Sequence, residues 1–232
     1  MDILRDGLEK LGIFSNGDDN ASSSAVGFTY SIEELCKKIE TYINEIILFN
    51  SAYNLTNTSM HDELVTRHIL DSLAPYKIIK NLIEKNFDAE NFCMADIGSG
   101  GGLPGIPLAT VFENVKIELV ERMSKRCAFL ENCSAVMGLK NVTVVCSEAE
   151  KVPAEKYNLI TFRAFRPLDE KMIKTLLKIV KKGGYLCAYK AKLQNIEQEM
   201  KEIASIVPEY KVEKLTVPGL EDSSRNLVII QR

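Results

Sequence analysis

The 232-residue chain lacks any apolar run of membrane-spanning length. Its longest, such as Leu159 to Phe162 and Leu227 to Ile230, stop after a few residues, against the roughly 20 that a spanning helix needs. The N-terminus carries no signal-peptide pattern, so the expected location is cytoplasmic, with no membrane contact. The six cysteines, Cys36, Cys93, Cys127, Cys133, Cys146 and Cys187, include no CxxC pair. That spacing suggests neither a metal site nor a disulfide framework, and they read as reduced core residues. Basic charge is also not in excess. A formal net charge of −3 and a pI of about 5.6 argue against coating naked nucleic acid through bulk charge. Any basic face must be local, the candidates being Arg122, Lys125 and Arg126, then Arg163 and Arg166, then Lys190 and Lys192.

What is present is a globular composition, 46% hydrophobic and 26% charged, able to bury a full core. Residues Asp2 to Ile13 have the pattern of a short amphipathic helix, and the Ser-, Asp- and Asn-rich stretch 16–27 reads as a flexible linker. Ser31 with Glu34 forms a capping-box pattern, and Ile32, Leu35, Ile39, Ile43, Ile46 and Ile47 follow at helical spacing to about Phe49. A turn at Tyr53 to Asn57 leads to another helical stretch with Leu64, His68, Ile69, Ser72 and Leu73. Residues 1–90 are thus expected to form a helical cap. Within 91–232 strand patterns alternate with helical ones: strands at Cys93 to Ile97, Lys116 to Val120, Val142 to Cys146, Leu159 to Phe162 and Tyr185 to Tyr189; helices at Pro104 to Phe112, Lys125 to Met137, Leu168 to Lys181 and Leu193 to Ile206. Alternation of this kind makes a parallel sheet covered on both faces. Lys211 to Val217 and Asn226 to Ile230 leave no room for a helix between them, so an antiparallel hairpin should end the sheet. The expected fold is α/β: a Rossmann-like, mostly parallel seven-stranded sheet of the class I methyltransferase kind.

The chemistry is carried by Asp96-Ile97-Gly98-Ser99-Gly100-Gly101-Gly102-Leu103-Pro104-Gly105, placed where a strand ends and a helix begins. A dinucleotide fingerprint would need its third glycine at position 103, which is leucine. GxGxG behind an acid fits S-adenosylmethionine instead, with Asp96 acting at the amino-acid end directly or through water. Glu121 ends the next strand, where a carboxylate can accept both hydrogen bonds of a ribose diol. Ser147-Glu148-Ala149-Glu150, after the third strand, can read the adenine edge through backbone and carboxylate. After the fourth strand the chain reads Phe162-Arg163-Ala164-Phe165-Arg166-Pro167, without the acid or amide, two prolines and aromatic usual where exocyclic amines are methylated. Carbon methylation of a pyrimidine needs a nucleophilic cysteine, whereas Cys146 and Cys187 read as inert core. A ring nitrogen remains attractive; guanine N7 has no proton to lose and needs positioning rather than a base.

Tyr53-Asn54-Leu55-Thr56, Arg67-His68-Ile69-Leu70-Asp71-Ser72, Asp96 to Pro107, Lys125-Arg126 with Phe129-Leu130, Arg163-Ala164-Phe165, and Arg225 with Leu227 to Ile230 together resemble the ribosomal small-subunit methyltransferase G family, also called glucose-inhibited division protein B. The resemblance implies N7 methylation of a guanine in the decoding-region loop of 16S ribosomal RNA, alone or within the small subunit or an assembly intermediate, with no obligate protein partner. It places Gly98 and Leu103 in the cofactor loop, Ala149 and Glu150 beside the adenine, and Arg163 at the active-site edge; Gly100 and Glu121 join them as cofactor-binding candidates from the motif and its spacing. Lys190 is the second catalytic candidate, shaping the target-base pocket. Arg67, His68 and Arg126 are the candidates for RNA contact, Arg126 facing outward to a phosphate or else pairing with Glu121 or Glu131. Asp71, on the face of His68, is expected to orient it or to form a local ion pair. His61 has no evident partner, and Tyr53, Phe165 and Tyr189 are stacking candidates or core. The rival expectations are a methyltransferase for a small molecule or protein, and a non-catalytic cofactor-binding regulator.

Overall fold

The computed structural model describes residues 3–14, 26–85, 92–163 and 168–232. Most of the proposed linker, together with Ala164, Phe165, Arg166 and Pro167, lies outside them. Helix α1 (Ile3–Lys10) is followed by α2 (Ile32–Tyr53), α3 (His61–Leu64), a π-helical turn over Val65–Leu70, α4 (Asp71–Leu73) and α5 (Tyr76–Glu84). The capping box at the start of α2 is formed. The Ser31 hydroxyl accepts from Glu34 N–H at 3.2 Å and the Glu34 carboxylate accepts from Ser31 N–H at 2.9 Å. The helix runs past Phe49 to Tyr53, and Asn54, at φ 48, ends it in the left-handed conformation that asparagine tolerates better than most side chains.

From residue 93 on, strands and helices alternate: β1 (Cys93–Ile97), α6 (Gly105–Val111), β2 (Lys116–Glu121), α7 (Ser124–Val136), β3 (Val142–Cys146), β4 (Tyr157–Arg163), α8 (Glu170–Ile179), β5 (Val180–Lys190), α9 (Leu193–Glu202), β6 (Lys211–Lys214) and β7 (Asn226–Gln231). They build one seven-stranded sheet in the order β3-β2-β1-β4-β5-β7-β6. The first five strands pair in parallel, and β7 enters antiparallel between β5 and β6. All five parallel strands of the expectation and the closing hairpin are present. The differences lie at the ends: β5 begins at Val180, inside the stretch expected to be helical, and α9 and β6 stop short at Glu202 and Lys214.

Successive side chains of a strand face opposite sides, and the apolar pattern follows. Met94, Ile117, Leu119, Leu227 and Ile229 point into a cluster shared with the N-terminal helices, where α2 packs on α6 and α7. Ala95, Ile97, Val120, Val228 and Ile230 point to the other cluster, covered by α8 and α9. Cys127, Cys133 and Cys187 are buried, but Cys146 is exposed. The core reading fails there because β3 is the edge strand, wetted on both faces. Among the described residues no helix is long and apolar enough to cross a membrane.

Replacing Ser31 by alanine removes one half of the capping box and leaves a helix N–H without its partner. We expect a loss of about 1 kcal/mol, measurable as a lower urea midpoint at unchanged slope; an unaltered midpoint would show that α2 is held by packing alone.

Candidate active site

The order of the sheet reverses between β1 and β4, so loops leaving these two strands diverge and open a crevice at their carboxyl ends. The glycine loop fills that position. Gly98 and Ser99 donate to Val120 O at 2.8 and 3.2 Å, and Gly102 N–H closes the turn on Ser99 O at 2.7 Å. Gly98 holds φ +70, a conformation costly for any residue with a Cβ. From the helical side the Tyr42 hydroxyl, fully buried, donates to Gly101 O at 2.5 Å. Beneath the loop Asp96, 1% exposed, accepts from Gly105 N–H at 3.0 Å and faces the Thr161 hydroxyl at 3.4 Å. A Cβ on Gly105 would stand 2.3 Å from Leu119 Cδ2 and 2.8 Å from Asp96 Oδ2, so this glycine is required by close approach. Burial pushes the Asp96 carboxyl up to about 7, the Gly105 N–H and nearby Arg163 pulling the other way. Asp96 therefore braces the loop from below and lines neither cavity described next.

Two cavities meet over the loop, both walled by Gly98 and Arg126. The rear one, about 380 Å³, is lined by Glu121, Arg122, Met123, Ser147, Glu148, Ala149 and Glu150. Glu121, at the end of β2, is held on both oxygens: Oε2 accepts from Gly100 N–H and Oε1 from Met123 N–H, each at 2.9 Å. Each oxygen keeps lone pairs for further donors, which suits the two hydroxyls of a ribose. Ala149 is buried and leaves space for a flat ring, with Glu150 beside it. This half fits the adenosine moiety of S-adenosylmethionine.

The front cavity, about 420 Å³, is lined by Leu55, Thr56, Asn57, Arg67, His68, Asp71, Gly98, Ser99, Gly100, Gly101, Leu103, Arg126 and Arg163. Arg163, at the end of β4, donates from Nη1 to Asp71 Oδ2 at 2.9 Å, and its Nη2 lies 3.4 Å from His68 Nδ1. Asp71 does not orient His68; its other oxygen takes Arg225 Nε at 2.8 Å. His68 sits in the π-helical turn, an element that recurs at functional sites. Burial and the Arg163 charge push its imidazole down to about 4, so it is neutral at physiological pH. Arg126 is half-buried rather than outward-facing, and it donates to Asn54 O at 3.3 Å instead of pairing with Glu121 or Glu131. Among the described residues, His68 Nε2 and Arg126 Nε are buried side-chain nitrogens without a hydrogen-bond partner, and both residues line this cavity. Arg67 is exposed at the rim, 3.7 Å from Glu63.

Lys190 stands apart from the glycine loop. Its ammonium meets Glu199 at 2.5 Å, and it lines a third cavity with Asp71, Arg163 and Arg225. His61, which seemed partnerless, bridges Glu40 and Asp62 at 2.8 and 3.0 Å on the surface. Tyr53 stacks on Phe49, and Tyr189 is buried with its hydroxyl on Ser72 O. The described members of the three basic clusters all end or follow β2, β4 and β5 at their carboxyl ends, hence one edge of the sheet. Two groups escaped sequence reasoning. Tyr42 lies on the buried face of α2, one residue before Ile43, and nothing local marks its reach to the loop. Arg225 stood among the resembling segments, but only the fold brings it onto Asp71.

A family model described as rRNA small subunit methyltransferase G matches residues 35–228. Among curated proteins the chain is similar to the ribosomal RNA small subunit methyltransferase G of Treponema denticola, 37% identical over 99% of this chain and 94% of that protein. The protein of the same name from Borrelia turicatae is 33% identical over 93% and 99%. Among solved structures, a SAM dependent methyltransferase from Aquifex aeolicus aligns with a TM-score of 0.51 at 18% identity, over 69% of this chain and 92% of that one. A tRNA (m1A58) methyltransferase from the same organism gives 0.53 at 13%, over 67% and 68%. These two likenesses show the fold.

The buried Asp96 generates a pH prediction. Between the ordinary carboxyl value of 3.8 and about 7, the folded chain retains a proton that the unfolded chain has lost. The Asp96 contribution to stability therefore declines as pH rises through that window and is constant above it, with a slope approaching about 1.4 kcal/mol per pH unit. Asp96→Asn keeps an acceptor for Gly105 without ionising, so its stability relative to the parent should improve from pH 4 to 7 in urea denaturation. A difference independent of pH would refute the raised value.

Proposed function

The chain belongs to the rRNA small subunit methyltransferase G family, and on that premise we propose that it methylates N7 of a guanine in 16S ribosomal RNA, presented in the small subunit or an assembly intermediate in the cytosol. One observation carries this assignment: the two cavities share Gly98 and Arg126, so a nucleoside-shaped compartment behind the loop opens directly into a polar, cationic one in front of it. S-adenosylmethionine, when bound, supplies an electrophilic methyl group on a sulfonium.

The chain's own groups then have positional work only. Glu121 fixes the ribose, and Gly98, Gly100 and Leu103 shape the floor over which the methyl passes. Arg163 and neutral His68 face the acceptor, where a guanidinium can donate to guanine O6 while leaving N7 free. Arg67 at the rim, with Arg126, suits phosphates flanking a splayed-out base. Lys190 acts at one remove, through the third cavity. The helical residues before 91 serve as a cap that supplies Tyr42, His68 and Asp71 to this edge. Guanine N7 gives up no proton, so catalysis is alignment of its lone pair with the methyl, consistent with a site whose only histidine is neutral and half-buried.

The test incubates purified protein with radiolabelled S-adenosylmethionine and small subunits from cells lacking the enzyme, then maps the label. 7-Methylguanine at one nucleotide is expected; label on another acceptor, or none despite cofactor binding, would overturn the proposal. Gly98→Val should abolish cofactor binding by calorimetry, because Gly98 walls both cavities and holds a backbone angle valine disfavours. Arg126→Ala should raise KM for subunits about tenfold and weaken cofactor binding by less, since Arg126 also walls the rear cavity. Equal losses would remove Arg126 from the RNA contact.

A further inference from the structure

Asp71 is 7% exposed, yet it carries two guanidinium groups. Its Oδ2 holds Arg163 Nη1 at 2.9 Å and its Oδ1 holds Arg225 Nε at 2.8 Å. The two arginines come from the end of β4 and from the residue before β7. The Asp71–Arg163 pair forms part of the wall of the front cavity and of the third cavity, about 280 Å³, so it is the partition between them. Lys190 in the third cavity is already matched by Glu199. One carboxylate shared by two guanidiniums leaves this cluster with a single net positive charge, where its removal would leave two.

Resting on the methyl-transfer function above, we propose that Asp71 is a positioning residue for the reaction: it orients Arg163 at the boundary of cofactor and acceptor and cancels one of the positive charges acting on the base being methylated. The chemistry makes that field matter. The N7 lone pair forms a bond to the methyl carbon as the carbon–sulfur bond breaks, its electron pair going to sulfur; no proton moves. The purine gains the positive charge that the sulfonium loses. Arg163 lines the front cavity and not the rear one, so the charge travels toward the guanidiniums. Like charges in a partly desolvated site oppose that travel. The carboxylate between them cancels one. The same field acts oppositely on substrate binding, because RNA is a polyanion and a more positive pocket holds it at least as well.

Asp71→Asn therefore separates the two effects. We expect kcat on small subunits to fall about ten- to a hundredfold, with KM for subunits unchanged or lower and cofactor affinity by calorimetry within about twofold. A merely structural aspartate would raise KM or reduce the fraction of sites that bind cofactor, leaving kcat per binding site intact. Removing one positive charge as well, in Asp71→Asn/Arg225→Gln, is expected to restore kcat severalfold. If Asp71→Asn does not fold alone, it is introduced into the Arg225→Gln background, where it should lower kcat without raising KM. An undiminished kcat per site in Asp71→Asn, or no recovery in the double variant, would overturn the proposal. Absence of 7-methylguanine with the unsubstituted protein would instead overturn the function on which it rests.

Discussion

The hydrogen bond from Gly105 N–H to the buried Asp96 carboxyl joins the end of β1 to the start of α6, and the shape of the glycine loop between them follows from it. A loop that must stay open to a ligand can have no side chains filling it, so its curvature has to be imposed from below and from the sides. Asp96 supplies the floor, Glu121 tethers Gly100 from β2, and Tyr42 holds Gly101 from α2. Burial of Asp96 without an ion partner is costly, and the carboxyl answers by moving its titration up to about 7. The loop is thus braced by three separate elements, and the groove above it is preformed.

The edge of the sheet also resolves an electrostatic conflict. A chain with net charge −3 must meet a polyanion, and it does so by bringing Arg126 and Arg163 to the carboxyl ends of the strands, beside Arg67 from the helical cap. Within the groove, charge is then trimmed. Asp71 divides its two oxygens between Arg163 and Arg225, and Glu199 takes Lys190. Arg126 keeps its charge and gives one donor to the turn at Asn54. Attraction of RNA calls for positive charge at this edge, and the pairing pattern limits how much of it is left unmatched.

The N-terminal helices are part of this edge rather than a covering over it. Tyr42, Leu55, Arg67, His68 and Asp71 all come from residues before 91, and each touches or lines the groove formed by the strand ends. The π-helical turn over Val65–Leu70 buries Val65, Ile69 and Leu70. Both His68 and Asp71, three residues apart, meet Arg163.

Local pattern determined the fold of this chain. Alternation of strand and helix signals, a hairpin too short for a helix, and the capping box at Ser31 are encoded within a few residues each, and each element formed with errors confined to its ends. The glycine loop and Glu121 were legible for the same reason, since phosphate-free nucleoside binding needs a particular turn and one carboxylate at a particular strand end. Tertiary structure alone decided the partners. Asp71 and Arg225 are brought together across 154 residues of sequence, Cys146 is wet because β3 became an edge, and Asp96 turned inward to accept from Gly105 beneath the loop. Long-range pairing is chosen by which strand ends lie side by side, and no run of neighbouring residues carries that information.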